Sequence, residues 1–409
     1  MMNVLICNAG SSSIKFSVIE AISEELELEG TIDWSTVPAS LTLRLGQRPA
    51  IRQEVPQRNH RDAISHVLHE LRLGMIVEYG ALDKIQAVGY RIVHGGEKYT
   101  SAVRITPDVQ REIRKLEELA PLHNAASVEV IEVVQQALPN VPQVAAFDTA
   151  FHSTISEAAR TYPVPFKWTS EWHLRRFGFH GLSHSYCATR AAEMIARQNL
   201  KLIVAHLGNG ASISAIRNGV CVDTSMGFTP LEGLMMGTRS GSVDPGMLVY
   251  LLRHRGLDAE RLDQALNHES GLLGVSGVAS DMREVLKAAE ANESRARLAI
   301  DIYVHRIQQT VGAMAATLGG VDALVFTAGV GEHAPVIRQR VCDNLCHLGL
   351  EIDRDANATS KPDADIATQT STGRILAIAT REDLSIVRET RNLLYKGEHE
   401  GDPHDHVTY

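Results

Sequence analysis

No lysine in this 409-residue chain follows a glycine, so the G-x-x-x-x-G-K-S/T loop that most often cradles nucleotide phosphates is absent. No G-x-G-x-x-G opens a helix after a strand either, which excludes the commonest dinucleotide fingerprint. Cysteine is scarce and odd in number: Cys7, Cys187, Cys221, Cys342 and Cys346, with no Cys-x-x-Cys. A disulfide framework does not fit, and a reduced cytosolic protein does. Cys342 and Cys346 stand one helical turn apart, but two further metal ligands are missing, so packing is the expected role. No apolar stretch approaches the roughly 18 residues of a membrane span. The N-terminus MMNVLICNAGSSSIKF lacks a basic region before its short apolar run, so no signal peptide is expected and the cytoplasm is the default location. A formal net charge of −9 argues against an electrostatic grip on nucleic acid or an anionic membrane.

What is present is ordinary for a soluble protein: 44% hydrophobic and 22% charged residues. The length exceeds what one core usually organises, so two domains are expected. Val4–Cys7, a small polar turn and the alternating Ile14, Phe16 and Val18 read as strand, turn, strand. The pattern restarts at Leu202: LICNAGSSSIKFSVI and LIVAHLGNGASISAI are both strand, glycine-containing turn, strand, which suggests two related α/β domains. Further strands are expected at Ile85–Val93, Val141–Phe147, Ala323–Thr327 and Arg374–Thr380. Helices are expected at Arg61–Arg72, Pro107–Leu119, Ala125–Leu138, Glu293–Leu318 (ended by Gly319-Gly320) and from Glu382 to about Leu394. The polar tail KGEHEGDPHDHVTY is expected to be disordered.

Three strand-to-turn segments of small residues, Asn8–Ser13, His206–Gly210 and Gly329–Glu332, could let backbone N–H groups approach phosphate oxygens. Arg91 interrupts an apolar strand and Arg239 lies in a Gly/Ser/Thr-rich loop; each could engage a carboxylate or phosphate, or form a structural ion pair. Asp148 ends an apolar strand, where cleft residues of α/β sheets sit, though it could also cap the following turn. His180 and His184 have an H-x-x-x-H spacing without the Glu of H-E-x-x-H, and Gly181 speaks against a stable helix there, so zinc is not expected. Lys15 could be a solvated strand residue, Glu382 could compensate a helix dipole, and Asp281 could cap a helix.

Taken jointly, Asn8-Ala-Gly-Ser-Ser-Ser-Ile-Lys15, Tyr90-Arg-Ile-Val-His-Gly-Gly96, Phe147-Asp-Thr-Ala-Phe-His152 and Phe177-Gly-Phe-His-Gly-Leu-Ser-His184 resemble the acetate kinase family. So do His206-Leu-Gly-Asn-Gly210, Asp223-Thr-Ser-Met-Gly-Phe-Thr-Pro230 and Gly237-Thr-Arg-Ser-Gly-Ser-Val-Asp-Pro245. The resemblance spans residues 3 to 394. It implies an α/β fold with two duplicated domains of the sugar-kinase/Hsp70/actin (ribonuclease H-like) type and an active-site cleft between them. The implied division is 1–149 plus 384–396 as the N-terminal domain, 150–383 as the nucleotide-binding and dimerisation domain, and 397–409 as a disordered tail.

The resemblance also implies roles. Arg91 holds the substrate carboxylate, and Val93, Leu122, Phe179 and Pro230 form a small apolar pocket for its methyl group, with core packing as the plainer reading of Val93 and Leu122. Asp148 is the active-site acid, expected to help organise Mg²⁺ and the nucleophile because an ionised carboxylate nucleophile needs no base; His180 donates a hydrogen bond to the transferring phosphoryl group, and Arg239 stabilises it. Lys15, His206, Leu207, Gly208, Asn209, Gly210, Asp281, Met282, Arg283, Gly329, Val330, Gly331, Glu332 and His333 face the nucleotide. The family usually has Asn where His333 stands, a departure at the adenosine end. Asn8 and Glu382 are associated with Mg²⁺, or Mn²⁺ in its place, and ATP/ADP is the co-substrate. The implied reaction is ATP + acetate ⇌ ADP + acetyl phosphate in a homodimer, with no nucleic acid or membrane partner. Propionate kinase chemistry and a non-catalytic ATP-gated module of the Hsp70/actin type remain the alternatives.

Overall fold

Apolar runs covered on both faces set the framework, as expected of strands at the centre of a sheet flanked by helices. The computed structural model describes residues 2–10, 12–35, 37–56, 59–73 and 82–399. The chain divides into two compact units, residues 1–150 with 381 onward, and residues 151–380. The expected tail lies outside the described residues from position 400; residues 397–399 still belong to the closing helix, Glu382–His399. That helix therefore runs past the expected end near Leu394. It is tied down along its length by Arg388 on Glu24 and by Arg391 on the Ala21 carbonyl, and a helix so anchored extends one hydrogen bond per residue.

The first unit holds β1 (Asn3–Ala9), β2 (Ser13–Glu20), β3 (Leu26–Asp33), β4 (Ala39–Leu45), β5 (Ile51–Val55), β6 (Ile85–Ile92), β7 (Val103–Arg104) and β8 (Gln143–Phe147). They form one sheet in the order β5-β4-β3-β2-β1-β6-β8-β7. β1 to β5 are an antiparallel meander, whereas β1, β6 and β8 run parallel. Strand alternation sends Val88 and Tyr90 into the core formed with Ile131 and Val134 of the helix Pro121–Ala137. Gly89, between them, faces the helix Glu382–His399. The helix Pro121–Ala137 begins four residues before the expected Ala125, because Pro121 is tolerated in a first turn, where its missing N–H would have no partner anyway.

The second unit holds β9 (Lys201–Leu207), β10 (Ala211–Arg217), β11 (Val220–Thr224), β12 (Ala323–Thr327), β13 (Ala364–Asp365) and β14 (Arg374–Ala377), in the order β11-β10-β9-β12-β14-β13. β9 to β11 are an antiparallel meander; β12 is parallel to both β9 and β14. The order β3-β2-β1-β6-β8 in the first unit is thus repeated as β11-β10-β9-β12-β14 in the second, with the two similar sequence segments as the first hairpin of each. The helix Ser294–Leu318 buries Ile300, Tyr303, Ile307, Val311 and Met314 at steps of three or four and ends at Gly319 in a left-handed conformation. The last strand is shorter than expected, ending at Ala377.

Two expectations about glycine fail. Gly181 does not prevent a helix: it opens the helix Gly181–Ile195. At the first helical position its cost is small, since the penalty for glycine applies to helix interiors. Gly329–Glu332 is not an open turn but part of a short helix, Ala328–His333, directly after β12. Ala328 supplies the change of direction with φ +64, so the glycines behind it are free to wind. No helix among the described residues is long and apolar enough to cross a membrane.

Gly89 decides how close the last helix comes to the sheet. A Cβ there would stand 2.5 Å from Cγ2 of Ile386, 2.9 Å from Oγ1 of Thr390 and 3.0 Å from Cδ1 of Ile6. Gly89→Val is expected to destabilise the protein by about 1–3 kcal/mol through overpacking. Urea denaturation would read this as a lower midpoint at unchanged slope.

Candidate active site

In the first unit, the C-terminal ends of β6 and β8 lie side by side, with Arg91 opposite Ala146 and Ile92 opposite Phe147. Asp148 follows β8 directly, and its N–H donates to the Ile92 carbonyl at 2.9 Å. This places the Asp148 carboxylate on the Arg91 guanidinium: Nε donates to Oδ1 at 3.0 Å and Nη2 to Oδ2 at 2.7 Å. Glu382, first residue of the closing helix, takes Nη1 at 3.0 Å. Asp148 is 1% exposed. Burial opposes the Arg91 cation, but the Asp148 and Glu382 carboxylates outweigh it and raise its pKa. One N–H remains on each Nη, a fork suited to a further carboxylate.

Two carboxylates thus meet on one guanidinium. Asp148, Glu382 and the Asn8 amide are hard oxygen donors of the kind Mg²⁺ takes. Among the described residues no three His, Cys, Asp or Glu side chains cluster to cage a metal. Asn8 pairs with Lys15 across the first hairpin, where Lys15 is exposed. Val93 follows β6 and is half-buried; Leu122 sits in the first turn of Pro121–Ala137, and its side chain is outside the described residues.

In the second unit, the turn after β9 is tight: Leu207 pairs with Ala211, and Gly208 N–H donates to the Gly210 carbonyl at 3.0 Å. Asn209 is exposed, and its carbonyl accepts from Gly237 N–H at 3.0 Å, which ties the turn to the loop carrying Arg239. A Cβ on Gly210 would stand 3.4 Å from Nε2 of His180 and 3.7 Å from Nη1 of Arg239. An imidazole and a guanidinium therefore converge on a stretch of bare backbone. Arg239 Nη1 donates to the Pro230 carbonyl at 2.9 Å, and burial lowers its pKa without abolishing the cation. His180 sits at φ +58, a left-handed conformation uncommon for a side chain of this size and of the kind that collects at functional sites.

His180 and His184 converge on one hydroxyl. Both rings bond the buried Ser212 hydroxyl, His180 through Nδ1 at 2.9 Å and His184 through Nε2 at 2.8 Å. His206 stacks on His180 with ring centres 4.2 Å apart, and its Nδ1 is 2.7 Å from Ser183 Oγ. His152 Nε2 lies 2.9 Å from the Phe179 carbonyl, which can only accept, so that nitrogen carries the proton. Burial pushes the His152 pKa down to about 4 and that of His184 well below the ordinary histidine value. Ser183, His184, Ser212 and His152 were not singled out as site residues from the sequence. Ser212 and Ser214 alternate with Ile213 and so read as a solvated face of β10; only the structure shows that both faces of this strand are buried.

Phe179 is buried beside this cluster and Pro230 is half-buried. Thr327 at the end of β12 pairs with His206, which brings the helix Ala328–His333 beside the β9 turn. Ala328 N–H donates to Thr380 Oγ1, and Thr380 N–H to Glu332, both at 2.8 Å. Glu332 and His333 border an open cavity of about 580 Å³, with His333 largely exposed. Asp281 is the N-cap of the helix Met282–Glu290, accepting from Arg283 N–H and pairing with the exposed Arg283 side chain; Met282 is buried.

Curated relatives resemble the chain from end to end. The acetate kinase of Trichormus variabilis is 46% identical over 96% of this chain and 100% of its own length. That of Thermoanaerobacterium thermosaccharolyticum is 42% identical over 96% and 99%. Among solved structures, Porphyromonas gingivalis acetate kinase is 39% identical with a TM-score of 0.88. A Francisella tularensis propionate kinase is also 39% identical, with a TM-score of 0.90. Each structure is covered completely by 96% of this chain. With the acetokinase family model matching residues 3–388, the chain belongs to the acetokinase family.

Proposed function

We propose that this protein catalyses the reversible transfer of the γ-phosphoryl group of ATP to acetate, giving acetyl phosphate and ADP. The observation that carries this reading is the convergence of His180 Nε2 and Arg239 Nη1 on the bare backbone at Gly210, a cradle for an anion that carries charge on several oxygens at once. An acetate oxygen attacks the γ-phosphorus in line; the new O–P bond forms as the bond to the β-phosphate oxygen breaks, and ADP leaves with that electron pair. No base is needed, because acetate is already ionised near neutral pH. Asp148 therefore acts by fixing the Arg91 guanidinium, whose remaining N–H groups hold the acetate carboxylate.

Val93, Leu122, Phe179 and Pro230 are assigned to the acetate methyl group. His180 and Arg239 neutralise the phosphoryl oxygens in flight, and the His206–Gly210 turn with Lys15 holds the nucleotide phosphates. We assign Asp281–Arg283 and Gly329–His333 to the adenosine end. Asn8 and Glu382 would hold Mg²⁺, which when bound supplies charge neutralisation on the phosphates. The free thiols of all five cysteines favour a cytoplasmic enzyme. Propionate is the second reading, favoured by the similarity to the Francisella enzyme; one methylene is worth only about 1–3 kcal/mol in discrimination. A homodimer is favoured by the helix Pro245–His254, which buries none of its residues and leaves Met247, Val249, Tyr250 and Leu252 exposed.

Three outcomes are expected. Trapping acyl phosphate with hydroxylamine should give product with acetate above propionate and little with butyrate; no acyl phosphate from any of the three acids defeats the proposal. Arg239→Ala should lower kcat by roughly 100- to 1,000-fold while ATP still binds by calorimetry. Near-normal turnover would remove Arg239 from the mechanism. Light scattering should report a dimer in solution and a monomer for Tyr250→Glu/Leu252→Glu. A monomeric wild type would end the dimer reading without touching the chemistry.

A further inference from the structure

We propose that His184 and Ser212 form a one-directional hydrogen-bond relay that sets the tautomer of His180, so that His180 presents Nε2–H toward the Gly210 turn. Both are positioning residues, acting through His180, and the proposal rests on the phosphoryl-donor role given to His180 above.

Ser212 lies on β10 and is fully buried. Its Oγ is 2.9 Å from His180 Nδ1 and 2.8 Å from His184 Nε2, and it has no third partner among the described residues. A hydroxyl has one proton. Accepting from both rings would strand that proton in the interior, so Ser212 accepts from one ring and donates to the other. Two directions satisfy this. In the first, His184 Nε2–H donates to Ser212, and Ser212 donates to His180 Nδ1. In the second, every bond is reversed.

His184 decides which direction holds. Its side chain is fully buried, and burial, reinforced by His152 and His206, keeps it neutral with a single N–H. Its Nδ1 is buried without a hydrogen-bond partner among the described residues. The second direction would put the proton on that nitrogen and leave a stranded N–H donor. The first leaves only a bare lone pair there, and orphaned buried N–H groups are the rarer defect. The first direction therefore prevails. His180 Nδ1 becomes an acceptor, and its proton resides on Nε2.

The consequence reaches the reaction. With the relay reversed, neutral His180 would turn a lone pair toward phosphoryl oxygens and repel them. With the relay as assigned, it offers a donor without needing to be charged. The backbone is fixed independently, because His152 Nε2–H donates to the carbonyl of Phe179, the residue before His180. His152 stands edge-on to His184 with ring centres 5.6 Å apart.

Long-range ¹H–¹⁵N correlation spectra of the full-length ¹⁵N-labelled protein at neutral pH report which ring nitrogen carries each proton, with His180 and His184 assigned from their His180→Asn and His184→Gln variants. Both rings are expected to be protonated on Nε2. In Ser212→Ala, His180 should become a tautomer mixture, and kcat should fall on the order of 10- to 100-fold while KM for ATP and acetate stays within about threefold. Ser212→Thr, which keeps the hydroxyl, should retain the single tautomer. His184→Gln, whose amide can still donate, should exceed His184→Leu in kcat. A wild-type His180 protonated on Nδ1 overturns the relay, as does a Ser212→Ala enzyme with unchanged tautomer or unchanged kcat. If Ser212→Ala does not fold, the wild-type spectrum still decides. If the wild type makes no acetyl phosphate, the phosphoryl-transfer reading falls, while the spectrum judges the relay separately.

Discussion

Arg91 stands between two carboxylates that come from distant parts of the chain, Asp148 at the end of β8 and Glu382 at the start of the last helix. The Asp148 carboxylate is almost fully buried and is tolerable there only when paired, since removing its partner leaves an uncompensated buried charge that typically costs several kcal/mol. The pairing therefore constrains the fold. β6 must lie next to β8, and the chain, after completing the second unit, must send its last helix back to the first. Gly89 makes the return feasible by leaving a flat patch on β6 for Ile386 and Thr390. The same ion cluster that holds three segments together presents the remaining guanidinium N–H groups at the ends of parallel strands, where α/β sheets bind ligands.

The second unit repeats the strand order but solves a different electrostatic problem. Its site residues are mostly rings and hydroxyls oriented by one another: His152 on the Phe179 carbonyl, His180 and His184 on Ser212, His206 on Ser183, with His152 and His184 kept neutral by burial. Arg239 is the cation placed beside the Gly210 turn, held by a carbonyl rather than by a carboxylate. Among the described residues no carboxylate pairs with Arg239, which leaves its charge available to an incoming anion. Duplicated architecture thus carries two kinds of site: a paired ion cluster in one unit, and a histidine–hydroxyl network beside a carbonyl-held guanidinium in the other.

Much of this was legible from local sequence. Leu202–Ala205 and Ala323–Thr327 read as buried strands because nothing polar interrupts them, and the helix Ser294–Leu318 read clearly because its apolar residues keep to one face. Asp281 read as a cap and is one. Glycine misled at Gly181 and at Gly329–Gly331, where it was taken as a helix breaker and an open turn, although it read correctly as a turn at Gly208–Gly210 and as a helix end at Gly319. Its cost depends on position within a helix, which local composition does not reveal.

Apolar periodicity, caps and turn residues are properties of neighbours along the chain, so the sequence by itself determined the central strands of both sheets, several of the longer helices, the repeated hairpin and the motifs that announce the family. Which polar groups face one another was decided only by the tertiary structure. Arg91 meets Glu382, and His180 meets Ser212 and His184, because parallel crossovers and sheet register bring distant residues within hydrogen-bonding reach. Sequence spacing carries no record of those distances. The protonation of His180 is a further step removed, for it depends on whether an atom two hydrogen bonds away, Nδ1 of His184, finds a partner in the packed interior.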